Sequence, residues 1–467
     1  MKMSPCVISR AKRTALGLAL GLTMALPLQA ETQQSVSLTI EESRQVAVQA
    51  LSAGQPQVAV QIALGLLQRD GADAFAHYVL ARAMQQMQQP QKGRQAAARA
   101  FRHAKTQVQK YEASQLAATL AFEQGAPGLA QVWLRRSWNH APSDQARAVL
   151  KKDYATLRQV NPWQVRGRLS VVPSDNVNGG ARDPFMYIEG VPYVGILSGD
   201  ARALPGTKII GDFSVGYRLR QDKTSQTRIT GRIYANRVRL SDEARRIAPG
   251  AQNDDFAYSD ISIGLEHQVN PNRKTQTVYS ASVGQLWYAG NRFQDRISLG
   301  VVHTRPNIPM GRLQLSGHLQ RAAPAGRVSN LYQAELGAQF DYPLKNGDLF
   351  GIGLTGKMVA TRSDLHRERR ISSHLTYGFG KPIGPAKLSV TVGASLGYFP
   401  DYRLGNLIVP GGRDDQSLFA SARFTFEGFD YAGFAPTLTV HAQQNRSNVS
   451  RFSSDAISVS LGFVSRF

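Results

Sequence analysis

The chain has 467 residues, with 55 Lys and Arg against 33 Asp and Glu, so its formal charge is +22 and its partners are expected to be anionic. Its one cysteine, Cys6, lies ahead of the first apolar run, which excludes a disulfide framework and a lipidation cysteine at the mature N-terminus. The nine histidines are dispersed without metal-ligand spacing, and neither a metal nor any other cofactor is expected.

At the N-terminus, Lys2, Arg10, Lys12 and Arg13 precede an apolar run from Ala15 to Leu28 that ends at Gln29-Ala30. This is the layout of a signal peptide over residues 1–30, cleaved before about Glu31. The run is shorter than the ~20 residues of a spanning helix. Without its four basic residues the charge is about +18. An exported chain seldom meets nucleic acid, and no aromatic-interleaved basic motif is present. Lipopolysaccharide phosphates and an acidic or anionic client are the expected partners.

Residues 31–160 form the next expected unit, periplasmic and helical. From Glu41 to Arg158 the chain is rich in Ala, Gln and Leu, with apolar positions recurring at three and four. Gly54, Ala59 and Ala63, then Gly125, Ala130 and Leu134 followed by Pro142, match the turn-glycine, small, large spacing of tetratricopeptide repeats. Leu80, Ala97, Phe101 and Ala104 give a middle copy whose turn after Met87 reads as slightly lengthened. A small residue on the second helix lets the first approach, and the large one fills the next groove. A plain helical bundle is the alternative. Tyr78, Tyr111, Trp133 and Trp138 are candidates for a concave client-binding surface, although aromatics at helical spacing are more often core.

Asn161-Pro162-Trp163 breaks the helical pattern, because the residue before proline is pushed to extended conformations. Past it the period becomes two over fourteen segments of about ten residues each, the length of a tilted membrane-crossing strand. Residues 161–467 are therefore expected to form a transmembrane antiparallel β-barrel, giving an α+β multidomain chain. Short turns such as Asp222 to Ser225 and Lys345 to Asp348 alternate with long connections such as Ser174 to Pro205 and Pro400 to Asp415. That asymmetry belongs to outer-membrane barrels, with the helical unit in the periplasm. In the last segment Ile457, Val459, Leu461 and Phe463 share a face, and Phe463 with Phe467 resembles the aromatic signal read by the barrel-assembly machinery.

Alternation assigns the inside. Arg218, Arg220, Arg228, Arg232, His318, Glu335 and Arg423 are the lumen candidates. Gly351, Gly353, Gly393 and Gly397 point inward too and leave room for a plug or a moving chain. Arg367, Arg369 and Arg370 cluster at an outer loop as candidates for lipopolysaccharide phosphate. Ser372 and His374 share a strand face, yet no positioned acid or nucleophile motif accompanies them, so catalysis is not expected.

Helical repeats, the Asn161-Pro162-Trp163 joint, a first strand leading into Asp175-Asn176-Val177-Asn178, and a fourteen-strand barrel together resemble the surface lipoprotein assembly modulators, called Slam. The Asp175 to Asn178 stretch is similar to the family's Asp-x-Asn-x-Asn segment with one residue fewer. The resemblance implies a monomeric outer-membrane translocator that moves lipoproteins, or some soluble scavenging proteins, from periplasm to cell surface. It carries no functional residues onto single positions here. A polysaccharide exporter that joins repeats to a barrel, and a passive porin, are the alternatives.

Overall fold

The structure, a computed structural model, describes residues 38–270, 275–308, 311–326, 329–362, 367–404 and 407–466. The expected signal peptide and Phe467 lie outside the described residues.

Seven helices come first: α1 (Ile40–Ser52), α2 (Pro56–Arg69), α3 (Ala74–Gln86), α4 (Pro90–His103), α5 (Gln107–Glu123), α6 (Pro127–Trp138) and α7 (Asp144–Val160). Their starts are encoded locally. Thr39 and Thr106 close capping boxes with Glu42 and Gln109, and Asp73 and Ser143 accept from the third helical amide. The helices α2, α4 and α6 instead open on proline, whose missing N–H costs nothing there.

The three turns ahead of those prolines are of one length: Ala53-Gly54-Gln55, Met87-Gln88-Gln89 and Gln124-Gly125-Ala126. The middle turn is therefore not lengthened. Gln88 occupies the left-handed conformation, φ 57°, that Gly54 and Gly125 hold in the other two, so the glycine marker is missing while the geometry is kept. Three residues past each proline sits Ala59, Gly93 or Ala130, all buried. A β-carbon on Gly93 would lie 3.0 Å from the Ala81 carbonyl and 3.1 Å from Leu120, which is how closely α4 approaches α3 and α5. Besides successive helices, α1 packs on α3 and α3 on α5, as in a stack of helix pairs.

The helix-to-strand change falls where the proline sits: α7 ends at Val160 and β1 (Trp163–Ser174) begins two residues after Asn161. Then follow the hairpin β2 (Phe185–Ile188) and β3 (Val191–Ile196), β4 (Gly206–Gln221), β5 (Ser225–Leu240), a short helix α8 (Asp242–Ile247), β6 (Tyr258–Val269), β7 (Gln276–Tyr288), β8 (Asn291–Ile308), β9 (Gly311–Pro324), β10 (Leu331–Pro343), β11 (Leu349–Ala360), β12 (Glu368–Gly378), β13 (Lys387–Phe399), the two-residue pair β14 (Arg403–Leu404) and β15 (Leu407–Ile408), β16 (Arg413–Thr425), β17 (Phe434–Ser447) and β18 (Ser454–Ser465).

Fourteen of these strands close one antiparallel barrel in the order β1, β4 to β13, β16, β17, β18 and back to β1. No described helix is long and apolar enough to cross a membrane, which says nothing of crossing by strands. The outer face carries exposed apolar rows, among them Phe213, Val215 and Tyr217, then Tyr332 and Leu336, then Leu375, Val392 and Leu418. A barrel that turns such rows outward while closing every backbone edge is what hydrocarbon demands.

Candidate functional site

One barrel end carries the short turns and touches the helical unit, and we call it the near end. At the far end lie the long connections. Between them the two faces of the wall differ sharply. The inner row of β6 to β13 is built mainly of Ser, Thr, Gly and Gln, for example Ser282, Ser298, Ser316, Thr355 and Thr391.

Basic residues concentrate on β1, β4 and β5, and β4 and β6 set acidic partners against them. Arg232 makes a two-pronged bond to Asp212 at 2.8 and 2.9 Å, Arg296 reaches across from β8 to Asp260, and Arg228 donates to Gln164 at 2.7 Å with Glu266 at 3.8 Å. Paired charge around water is how a lumen tolerates ions. His318 and Glu335 are direct cross-strand partners on the inner face, and Arg423 donates to Thr439 at 3.4 Å.

Two lumen candidates have other places. Arg218 donates to the carbonyls of Gln159 and Val160 at 2.7 and 2.9 Å, capping the C-terminus of α7, where a cation meets the negative helix end. Arg220 follows a bulge that shifts the register between Arg218 and Arg220; it pairs with Thr227 and so turns to the face opposite Arg228. Strict alternation does not foresee a bulge.

The inward glycines do not leave open room. A β-carbon at Gly353 would collide with His374, one at Gly393 with Phe419 and one at Gly397 with Arg370. Each glycine is the floor on which a neighbouring strand lays a large side chain across the inner wall.

At the far end the long connections fold into two apolar clusters. One joins Val177, Leu204, Val238, Leu240, Ala244 and Ala248 beside β4 and β5. The other joins Ile188, Phe399, Tyr402, Val409 and Val449 beside β13 and β17. Into the second runs the buried Arg413, its guanidinium 3.5 Å from the Phe399 ring centre and 3.7 Å from that of Phe452, with Asp415 at 3.2 Å. Inner residues Lys357, Glu368 and Arg370 extend the charged network to Asp415. Below this cap lies a cavity of about 580 Å³ lined by Gln294, Gln320, Lys357, Glu368, Arg451 and Phe452, so the cap reaches across the lumen towards β8 and β9.

The three outer-loop arginines do not form one cluster. Arg367 donates to the Thr361 carbonyl and to Asp401, Arg370 turns inward to Glu368, and Arg369 alone lies on the outer face between Met358 and Tyr398. Successive strand residues point to opposite sides, so sequence neighbours part company.

At the near end the helical unit docks through polar side chains. Arg135 of α6 donates to the Ala432 carbonyl at 3.1 Å and to Ser465 at 2.9 Å, its guanidinium 4.3 Å from the Phe434 ring centre. The Trp138 indole N–H bonds Asp430, and Asn139 accepts from the Ala432 amide at 2.6 Å. Trp133 and Trp138 are core residues, 4 % and 5 % exposed, with Tyr78 and Tyr111 packed against the same cluster; the four aromatics do not line an open surface. An apolar stripe at helical spacing is satisfied first by its own stack.

The segment after β1 has a role that sequence reasoning left unassigned. Asp175 accepts from the Ile457 amide at 2.7 Å, Asn176 donates to the Asp455 carbonyl at 3.0 Å, and Asn178 bonds the backbone of Asp200, Arg202 and Leu204. These side chains tie the far end of β1 to β18 and to the connection that follows. Short Asp and Asn side chains that mimic backbone groups were the visible signal.

No protein-family model matches the sequence, and no curated protein matches it. Among solved structures the barrel is similar to OccAB3 of Acinetobacter baumannii, at 9 % identity over 64 % of this chain and 98 % of that one, with a TM-score of 0.34. It is similar to OccK8 of Pseudomonas aeruginosa, at 9 % identity over 64 % and 98 %, TM-score 0.34. The helical part is similar to the type III secretion translocator chaperone SycD of Yersinia enterocolitica, at 12 % identity over 27 % of this chain and 88 % of that one, TM-score 0.24. At these scores the three add nothing to what the closed ladder shows by itself.

Proposed function

We infer that this chain is an outer-membrane translocator that passes lipoproteins or related secreted proteins from the periplasm to the cell surface, with its helical repeats in the periplasm receiving the client. The resemblance to the surface lipoprotein assembly modulators motivates this reading. The observation that carries it is the attachment of a stack of helix pairs to the short-turn mouth of a polar-walled barrel, by a two-residue joint and by Arg135, Trp138 and Asn139. A passive pore has no use for such a domain at its entrance. The paired charges and amide side chains of the wall offer an extended polypeptide hydrogen bonds without an apolar surface to hold it.

The test is deletion of the gene followed by protease treatment of intact cells. At least one lipoprotein or secreted protein is expected to lose surface exposure and to regain it on complementation. If every lipoprotein keeps its location, the reading is wrong. Complementation by a chain lacking residues 41–158 is expected to fail; full display with it would remove the repeats from the mechanism.

A further inference from the structure

Between α7 and the near mouth of the wall lies a cleft of about 470 Å³, the size of an ordinary ligand site, lined by Lys151, Arg158, Gln164, Arg218, Gln221 and Gln226 among others. Each unit supplies half of it. Lys151, Tyr154, Ala155 and Arg158 follow the three-and-four spacing of α7 and so share one face of that helix. Gln164 and Gln226 stand on the inner row of β1 and β5, so the cleft opens into the lumen. Arg218 reaches from β4 to the last carbonyls of α7 and holds the helix against the wall. None of the described residues lining the cleft is acidic.

Cations gather here in excess of the carboxylates that meet them. Arg158, Arg166 and Arg218 are all close enough to act on the Arg228 charge, and the carboxylate set against that group is Glu266, 3.8 Å from Arg228. Other guanidiniums of the inner wall have a carboxylate each: Arg232 has Asp212, Arg296 has Asp260, Arg312 has Asp341 and Arg370 has Glu368. Lys151, Arg158 and Arg166, by contrast, are exposed and make no hydrogen bond or ion pair among the described residues. Like charges crowded together repel, and an anion entering among them relieves the repulsion. A guanidinium fork matches a carboxylate, and glutamine amides both donate to and accept from a peptide backbone. Resting on the translocator reading, we propose that this cleft is the entry site for an acidic segment of the client polypeptide, whose carboxylates supply the partners that Lys151, Arg158 and Arg166 lack. Because α7 and the wall each carry part of the site, it lies where a client would leave the helical unit for the lumen.

Two measurements separate the cleft from the translocator reading. The first follows the full-length chain in detergent micelles by fluorescence anisotropy, with a labelled peptide of Glu, Ser and Gly and with the same peptide carrying Gln for Glu. The Glu peptide is expected to bind the wild type, and to bind Lys151→Gln/Arg158→Gln/Arg166→Gln about tenfold more weakly. The control Lys105→Gln/Arg245→Gln/Arg246→Gln, which removes the same charge at exposed positions elsewhere, is expected to match the wild type. Equal binding of the two peptides, or equal binding by the two variants, overturns the proposal whatever the protein transports. Displacement of the Glu peptide by phosphatidylglycerol in the micelles makes the cleft a lipid site and overturns it too. The second measurement uses cells whose wild-type gene exposes a lipoprotein. There the cleft variant is expected to cut exposure about tenfold, with recovery in Lys151→Arg/Arg158→Lys/Arg166→Lys, which keeps the charge. A cleft variant that exposes the lipoprotein at the wild-type level overturns the proposal and leaves the translocator reading standing. Wild-type cells that expose none defeat that reading, while peptide binding still decides the cleft.

Discussion

The two ends of the barrel are closed by opposite means. At the far end the connections bury apolar side chains and sandwich the Arg413 guanidinium between Phe399 and Phe452, so that cap is a small core of its own. At the near end the helical unit rests on hydrogen bonds that Arg135 and Trp138 donate and Asn139 accepts, made with partly buried turns and with Ser465. Core-like packing tolerates little displacement, whereas a few partly buried polar contacts each contribute about 1 kcal/mol. The difference teaches which closure is expected to be the harder to open.

The strongest way to break the comparison is Arg413→Ala. It removes the nearer cationic partner of the buried Asp415 and leaves only Arg370 at 3.8 Å, and breaking a buried pair costs about 3–5 kcal/mol in such settings. The far-end cap is expected to loosen, seen as higher conductance in planar bilayers and protease cleavage between residues 400 and 412. Unchanged conductance would mean that the cap does not obstruct the pore.

A middle effect is expected at the near end. Arg135→Ala with Trp138→Phe deletes three docking hydrogen bonds while keeping an aromatic in the helical core. Docking should weaken by about 2–3 kcal/mol, with protease cutting at the Asn161-Pro162 joint at least tenfold faster and no change in conductance. If the cap responds instead, the two closures are not independent.

The smallest effect sharpens the contrast through pH. Burial holds the His77 imidazole below its ordinary value, aided by the nearby His103 and Arg99 charges, and its Nε2 bonds the Gly71 carbonyl at 3.1 Å. A histidine with a depressed folded pKa adds stability that is full above the unfolded value near 6.5 and is lost as pH falls through the folded one. Between pH 7 and 5 the helical unit should therefore lose a few degrees in its melting temperature, followed by far-ultraviolet dichroism, and His77→Gln should flatten that slope. A wild-type slope matching the variant's would remove His77 from the account.

Much of the plan was legible because its causes are local. Thr39 and Thr106 mark helix starts by their own side chains, Pro162 ends the helical stretch, and alternation tells Val392 from Thr391 without any neighbour. Where reading failed, a neighbour had intervened. Gln88 took a glycine's conformation because the stack fixes the turn, a bulge re-aimed Arg220, and the inward glycines were filled by His374, Phe419 and Arg370 from adjacent strands. Trp133 and Trp138 went to the helical core, with Tyr78 and Tyr111 half-buried against it, because packing, not spacing, chooses between core and surface.

By itself the sequence determined two periods, the place where one gives way to the other, and an apolar exterior around a polar interior, since each depends on residues a few positions apart. Only the tertiary structure decided what covers each mouth, and that Asp175 and Asn176 fasten β1 to β18. Those features join residues nearly three hundred positions apart, and no local preference reports on a contact made only when the barrel closes.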